Sequence, residues 1–166
     1  MITLQEGKKA PAFKGTDQNG DIVSLADFKG KKLILYFYPK DDTPGCTAQA
    51  CNLRDNYTDL IDKGFAVIGV STDPVKKHKK FEEKYQLPFS LIADEDKVIV
   101  EKYGVYGEKK FMGRTYDGIS RTTFLIDETG IINKIITKPA TKTHAEEILE
   151  AWNWFKKVNK PGLLFY

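Results

Sequence analysis

The chain of 166 residues is long enough for one domain, taken as 1–166, with room for a hydrophobic core; 41% of its residues are hydrophobic and 30% charged, which reads as a water-soluble globular protein. Lys and Arg interleave with Asp and Glu to a net charge of +3, so neither a nucleic-acid nor a membrane surface is indicated. Two cysteines outside any Cys-x-x-Cys pair and two histidines, His78 and His144, exclude a disulfide scaffold, a zinc site and a His-rich metal centre.

The start, Met1 to Lys9, lacks the apolar core of a signal peptide, and every apolar run is too short to span a bilayer. The expected address is the cytoplasm, where a transient catalytic disulfide is more usual than a structural one.

In chain order, Gln18-Asn19-Gly20 between short runs predicts a hairpin of 13–17 with 21–25. Leu33 to Tyr38 is a continuous apolar run and reads as a buried strand. A helical pattern follows from Pro44 to about Asp62, stopped by Gly64, and then a second buried strand, Phe65 to Val70. Strand, helix, strand predicts parallel pairing with a right-handed crossover. Asp73-Pro74 opens a helix to about Tyr85, whose run Lys76 to Lys80 reads as a solvated basic face. A short strand over 89–93, a short helix over 96–103 closed by Gly104, and a polar loop over 107–118 come next. Residues 121–126 and 131–136 predict a second hairpin. Thr143-His144-Ala145-Glu146 reads as a capping box for a last helix to about Val158, with Trp152 and Phe155 facing the core. The apolar end, Leu163 to Tyr166, is expected to dock on the domain or on a partner subunit. The pattern implies an α/β fold: a central mixed sheet with helices on both faces and an N-terminal β-hairpin.

The chain is organised around Pro39 to Cys46, which joins the first buried strand to the first helix. Thr43 suits an N-cap and Pro44 the first helical position, where a missing N–H costs nothing. Cys46 then falls in the first turn, where free N–H groups and the helix dipole favour an anion. The thiolate is the reactive form of cysteine, so a nucleophile is indicated over a small core residue. Cys51, five residues on, has two readings on spacing alone: a core cysteine, or a thiol that condenses with an oxidised partner.

Pro39-x-x-x-Thr43-x-x-Cys46 resembles the active-site motif of the peroxiredoxins. Thr43 to Cys51 is similar to their Q-type branch, the bacterioferritin comigratory proteins, and Ala10 to Phe13, Gly69 to Ser71 and Ser120 to Asp127 extend the resemblance along the chain. It implies a thioredoxin-like fold and a thiol-dependent peroxidase for hydrogen peroxide and organic hydroperoxides, serving antioxidant defence without metal, haem or flavin. It makes Cys46 the peroxidatic and Cys51 the resolving cysteine, gives an intramolecular disulfide recycled by thioredoxin, and adds Pro39, Thr43 and Arg121 to the site. Pro39 has no N–H to satisfy and can wall off the sulfur; the Thr43 hydroxyl can orient sulfur and peroxide near the N3 amide; Arg121 is a permanent cation with a fork of donors. An intramolecular resolving thiol removes the need for a dimer, so a monomer is expected. Gln49 departs from the acid many peroxiredoxins carry three residues after the cysteine, so a carboxylate network there is not expected. A thioredoxin-like disulfide reductase would want the missing Cys-x-x-Cys. A peroxide sensor or holdase would titrate with peroxide once and not turn over.

Overall fold

A computed structural model describes residues 3–158; side chains beyond Asn153 and the apolar end at 163–166 lie outside the described residues. One mixed sheet of seven strands runs in the order β2-β1-β5-β4-β3-β8-β9. The strands are β1 Lys14–Asp17, β2 Ile22–Ser24, β3 Lys32–Phe37, β4 Phe65–Ser71, β5 Ser90–Ala93, β8 Thr122–Ile126 and β9 Ile132–Ile136. β3, β4 and β5 are parallel to one another, as the βαβ pattern requires. β8 runs antiparallel to β3, pairing Phe37 with Thr122, so the start of β8 lies beside the end of β3. That register carries residue 121 to the loop before the first helix.

Alternation along β3 divides the core. Ile34, Tyr36 and Tyr38 face one layer, with α1 Pro44–Asp55, α2 Tyr57–Asp62, α3 Val75–Tyr85 and α5 His144–Val158. Leu33, Leu35 and Phe37 face the other, where α4 Val98–Lys102 packs with Phe13, Tyr103 and the N-terminal hairpin. Both faces are thus covered, the first far more heavily. Complete burial of a Leu or Ile side chain contributes about 1.5–3 kcal/mol, and Leu33, Ile34 and Leu35 are all fully buried. The Asn19-Gly20 hairpin forms as expected, with Gly20 at φ 81° and the Asp17 carboxylate accepting from the N–H groups of Asn19 and Asp21.

Four local expectations are corrected. The helix from Pro44 does not run unbroken to Asp62: Asn56, at φ −106° and ψ 9°, separates α1 from α2. Its side-chain amide donates to the Asn52 carbonyl at 2.8 Å, competing with the helical ladder. The stretch 107–118 is not a loop but a two-stranded ribbon, β6 Tyr106–Phe111 with β7 Arg114–Ile119. Its turn is Met112-Gly113, both at positive φ (49° and 76°), the geometry of a tight hairpin hidden by a methionine where Asn or Asp is usual. Pro74, not Asp73, caps α3, because the Asp73 carboxylate is used elsewhere. At the start of α5 the bonds differ from the expected box: Asn52 Oδ1 accepts from Ala145 N–H, and Glu147 turns back to Ala140 N–H.

Candidate active site

Cys46 lies in the first turn of α1 and is 1% exposed. Thr43 has the extended backbone of a cap, φ −95° and ψ 156°, and Pro44 opens the helix. The Thr43 hydroxyl does not cap, contrary to its expected place at the N3 amide; it donates to the Lys40 carbonyl at 2.9 Å and closes the loop on itself. With no side-chain cap, the first-turn N–H groups remain available to an anion at the sulfur. Pro39 is half-buried, two residues past the end of β3 at Phe37. Cys46 and Cys51 are both free thiols, and Cys51 is half-buried further along α1.

Arg121 comes from the far side of the sequence. One guanidinium nitrogen, Nη2, donates to Cys46 Sγ at 3.4 Å; Nη1 donates to Gln49 Oε1 at 2.7 Å. The antiparallel pairing of β8 with β3 makes this contact possible. Gly45 makes it close: a Cβ there would lie 3.0 Å from Arg121 Nη2, so any side chain would crowd the guanidinium. Gln49 is fully buried, one turn below Cys46, and fixes the cation with a neutral oxygen where an acid was the family expectation. A neutral partner leaves the arginine's charge for the sulfur.

Four features are not evident from the sequence. Gln49 reads in the sequence as a missing acid, though its spacing from Cys46 puts both on one helix face. Lys109 of the β6–β7 ribbon donates to the Ile119 carbonyl at 2.8 Å. Burial and then the Arg121 charge hold its pKa below the ordinary lysine value, opposed by the Cys46 charge, so a second cation stands within electrostatic reach. Beneath, burial and then the Cys46 and Asp41 charges push the Tyr36 phenol well above its ordinary range, so Tyr36 stays protonated. The fourth is His78. The basic run of α3 is not wholly solvated: His78 is fully buried and bonded to Asp41. Asp41, Asp73 and His78 bring ligand atoms within 4.8 Å of one another, but hydrogen bonds among them and their neighbours occupy those atoms.

The AhpC/TSA family model matches residues 6–135. The chain belongs to that family, in its Q-type peroxiredoxin branch. It is 48% identical over 157 residues to peroxiredoxin Bcp of Escherichia coli K12, covering 95% of this chain and 99% of that one. A cysteine-to-serine variant of PrxQ from Xylella fastidiosa superposes with a TM-score of 0.86 at 28% identity, covering 93% and 98% of the two chains. A Xanthomonas campestris bacterioferritin comigratory protein, described for alkyl peroxide reduction, superposes with a TM-score of 0.80 at 31% identity, covering 89% and 92%. The fold of this peroxiredoxin is therefore thioredoxin-like, and the enzyme is a thiol peroxidase, an oxidoreductase that reduces peroxides through cysteine. A peroxide substrate and a thioredoxin-type reductant follow from the family. Among the described residues no helix is long and apolar enough to cross a membrane.

Proposed function

We propose that Cys46 is the peroxidatic cysteine, that Cys51 resolves it, and that Thr43, Arg121 and Pro39 complete the site. The observation that carries this reading is the Arg121 Nη2 contact with Cys46 Sγ at 3.4 Å, at a helix start with no side-chain cap. The Cys46 thiolate attacks the terminal oxygen of a hydroperoxide. The S–O bond forms as the O–O bond breaks, sulfur loses two electrons, and the departing oxygen takes a proton and leaves as alcohol or water. Arg121 stabilises the thiolate and then the charge growing on the leaving oxygen. The Thr43 hydroxyl, donating to Lys40, keeps its lone pairs for the peroxide O–H. Pro39, with no N–H of its own, walls the sulfur from bulk water.

Cys51 then attacks the sulfenic acid, expelling water and leaving an intramolecular disulfide, which a thioredoxin dithiol reduces by exchange. Hydrogen peroxide and alkyl hydroperoxides are both substrates, the latter in keeping with the relative described for alkyl peroxide reduction. One chain, acting as a single domain and a monomer, holds every group the cycle uses, and a reducing compartment such as the cytoplasm supplies the dithiol. The test is turnover with thioredoxin, thioredoxin reductase and NADPH. Cys46→Ser is expected to abolish peroxide consumption. Cys51→Ser is expected to oxidise once, with a sulfenate trappable on Cys46, and to lose thioredoxin-linked cycling. Full cycling in Cys51→Ser would remove Cys51 from the mechanism, and consumption limited to one equivalent in the wild type would make the protein a sensor.

A further inference from the structure

The loop that delivers Thr43 and Cys46 to the site is tied to α3 by a set of bonds the peroxidase chemistry does not use. Asp41 is buried, and its carboxylate accepts from the Tyr38 hydroxyl at 2.6 Å on Oδ1 and lies 2.6 Å from His78 Nδ1 on Oδ2. Its backbone N–H donates to Asp73 Oδ2 at 2.9 Å, and Asp73 is itself fixed by the Ser71 hydroxyl at 2.7 Å. The other ring nitrogen of His78, Nε2, is 3.0 Å from the Ile92 carbonyl. A carbonyl only accepts, so Nε2 carries a proton and donates; the short Nδ1–Oδ2 contact then holds a proton of its own. The next residue, Asp42, sits at φ 59°, a conformation uncommon outside glycine. Lys84 and the Tyr85 hydroxyl hold it there, donating to its two carboxylate oxygens at 2.8 and 2.7 Å. His78, Lys84 and Tyr85 all belong to α3.

We propose that His78 and Asp41 are positioning residues for the oxidation of Cys46: their buried contact splints the 40–43 loop onto α3 and so fixes Thr43 and the first turn of α1 around the sulfur. Neither residue makes a hydrogen bond to the sulfur. The inference rests on the reading of Cys46 as the attacking thiol. It also places the hinge of any opening of α1 at Pro44-Gly45, because the loop before it remains with α3.

Two near-isosteric variants test the pathway. In His78→Asn the amide nitrogen stands close to the place of Nδ1 and can still donate to Asp41. In His78→Gln it stands close to the place of Nε2 and serves only the Ile92 carbonyl. Reduced protein is mixed with hydrogen peroxide, quenched at intervals, and read by intact mass for Cys46 sulfenate and for the Cys46–Cys51 disulfide separately. The expected result is that His78→Gln slows sulfenate formation about tenfold or more, leaves disulfide closure at least as fast as in the wild type, and that His78→Asn recovers most of the rate. A general loss of structure would slow both steps in both variants, and that outcome, or a wild-type oxidation rate in His78→Gln, overturns the proposal. Should His78→Gln fail to fold, Tyr85→Phe, at the second clamp of the same loop, takes its place: slower sulfenate formation supports the proposal and an unchanged rate overturns it. Cys46→Ser is run alongside. If it still consumes peroxide the reading of Cys46 fails; if it is inactive while His78→Gln oxidises normally, only the present inference fails.

Discussion

Closing the Cys46–Cys51 disulfide has to unwind the start of α1. On a regular helix five residues advance about 7.5 Å and turn about 140°, which puts the two Cα atoms about 8.7 Å apart. A disulfide tolerates roughly 7 Å at most, with the two Cβ atoms facing each other. Unwinding gives back about 1–2 kcal/mol of backbone entropy per residue, against about 0.5–1.5 kcal/mol for each helical hydrogen bond lost. Along 44–51 the buried apolar residues, Cys46 and Ala50, are small, and the main remaining tie is the Arg121 guanidinium, which donates to Cys46 Sγ and Gln49 Oε1 and has to release them as the turn unwinds. Beyond Cys51 the balance reverses. Asn52 clamps the helix to α5 through the Lys142 carbonyl at 3.0 Å and the Ala145 N–H at 2.7 Å. Leu53 is fully buried, which stabilises by about 1.5–3 kcal/mol, and Arg54 donates to the Tyr85 carbonyl at 2.7 Å, a charge-assisted bond contributing about 1.5–3 kcal/mol. Oxidation is therefore expected to melt 45–51 and to stop at Asn52. Hydrogen exchange on fully reduced and fully oxidised protein, the disulfide confirmed by mass, measures this directly. Each helical N–H donates four residues back, so amide protection should fall across 47–55, whose acceptors lie at 43–51, and persist from Asn56, which donates to the Asn52 carbonyl at 3.2 Å, through α2. Equal protection across 47–55 in both states, or loss that spreads into α2, would refute the reasoning.

Other outcomes follow from single contacts. Arg121→Met removes the donor to Cys46 Sγ and Gln49 Oε1 together, and oxidation of Cys46 in a single-turnover assay should slow about 10- to 100-fold; a wild-type rate would exclude Arg121 from the chemistry. Gly69→Ala puts a Cβ 2.9 Å from Tyr36 and from Leu91 in the middle of the sheet, an overpacking expected to cost about 1–3 kcal/mol in urea unfolding, with no destabilisation refuting the close fit. His144 is fully buried between Thr123 and Glu147, and burial, only partly offset by the Glu147 hydrogen bond, holds its pKa below the ordinary 6.5. The unfolded chain then takes up a proton that the folded chain refuses, so stability should fall as pH drops below about 6.5 and level off under the folded-state pKa. His144→Asn should flatten that part of the stability–pH curve, and an unchanged slope would assign it to another group.

Signals confined to a few neighbouring residues were enough for the frame. The unbroken apolar run of β3 can only be buried, Asn19-Gly20 can adopt the tight turn cheaply, and Thr43-Pro44 starts a helix wherever it stands, so the first hairpin, the βαβ core and the helical position of Cys46 were all legible. The motif from Pro39 to Cys46, with the arginine segment late in the chain, pointed to the chemistry as well. What escaped was decided by partners distant in sequence. His78 stands in a run of lysines whose composition reads as solvated, although its spacing of three from Phe81 and seven from Tyr85 puts it on their face of α3; its partner inside the fold is Asp41, 37 residues earlier. The role of Gln49 depends on a guanidinium 72 residues away, brought there by the antiparallel register of β8 on β3. The β6–β7 ribbon is polar and turns on a methionine, so neither composition nor turn chemistry announces it, and only the pairing of its backbones reveals it. Local sequence carried backbone preference and hydrophobic period by itself. Which polar groups lose their water, and who replaces it, was settled only when the sheet closed and brought those partners together.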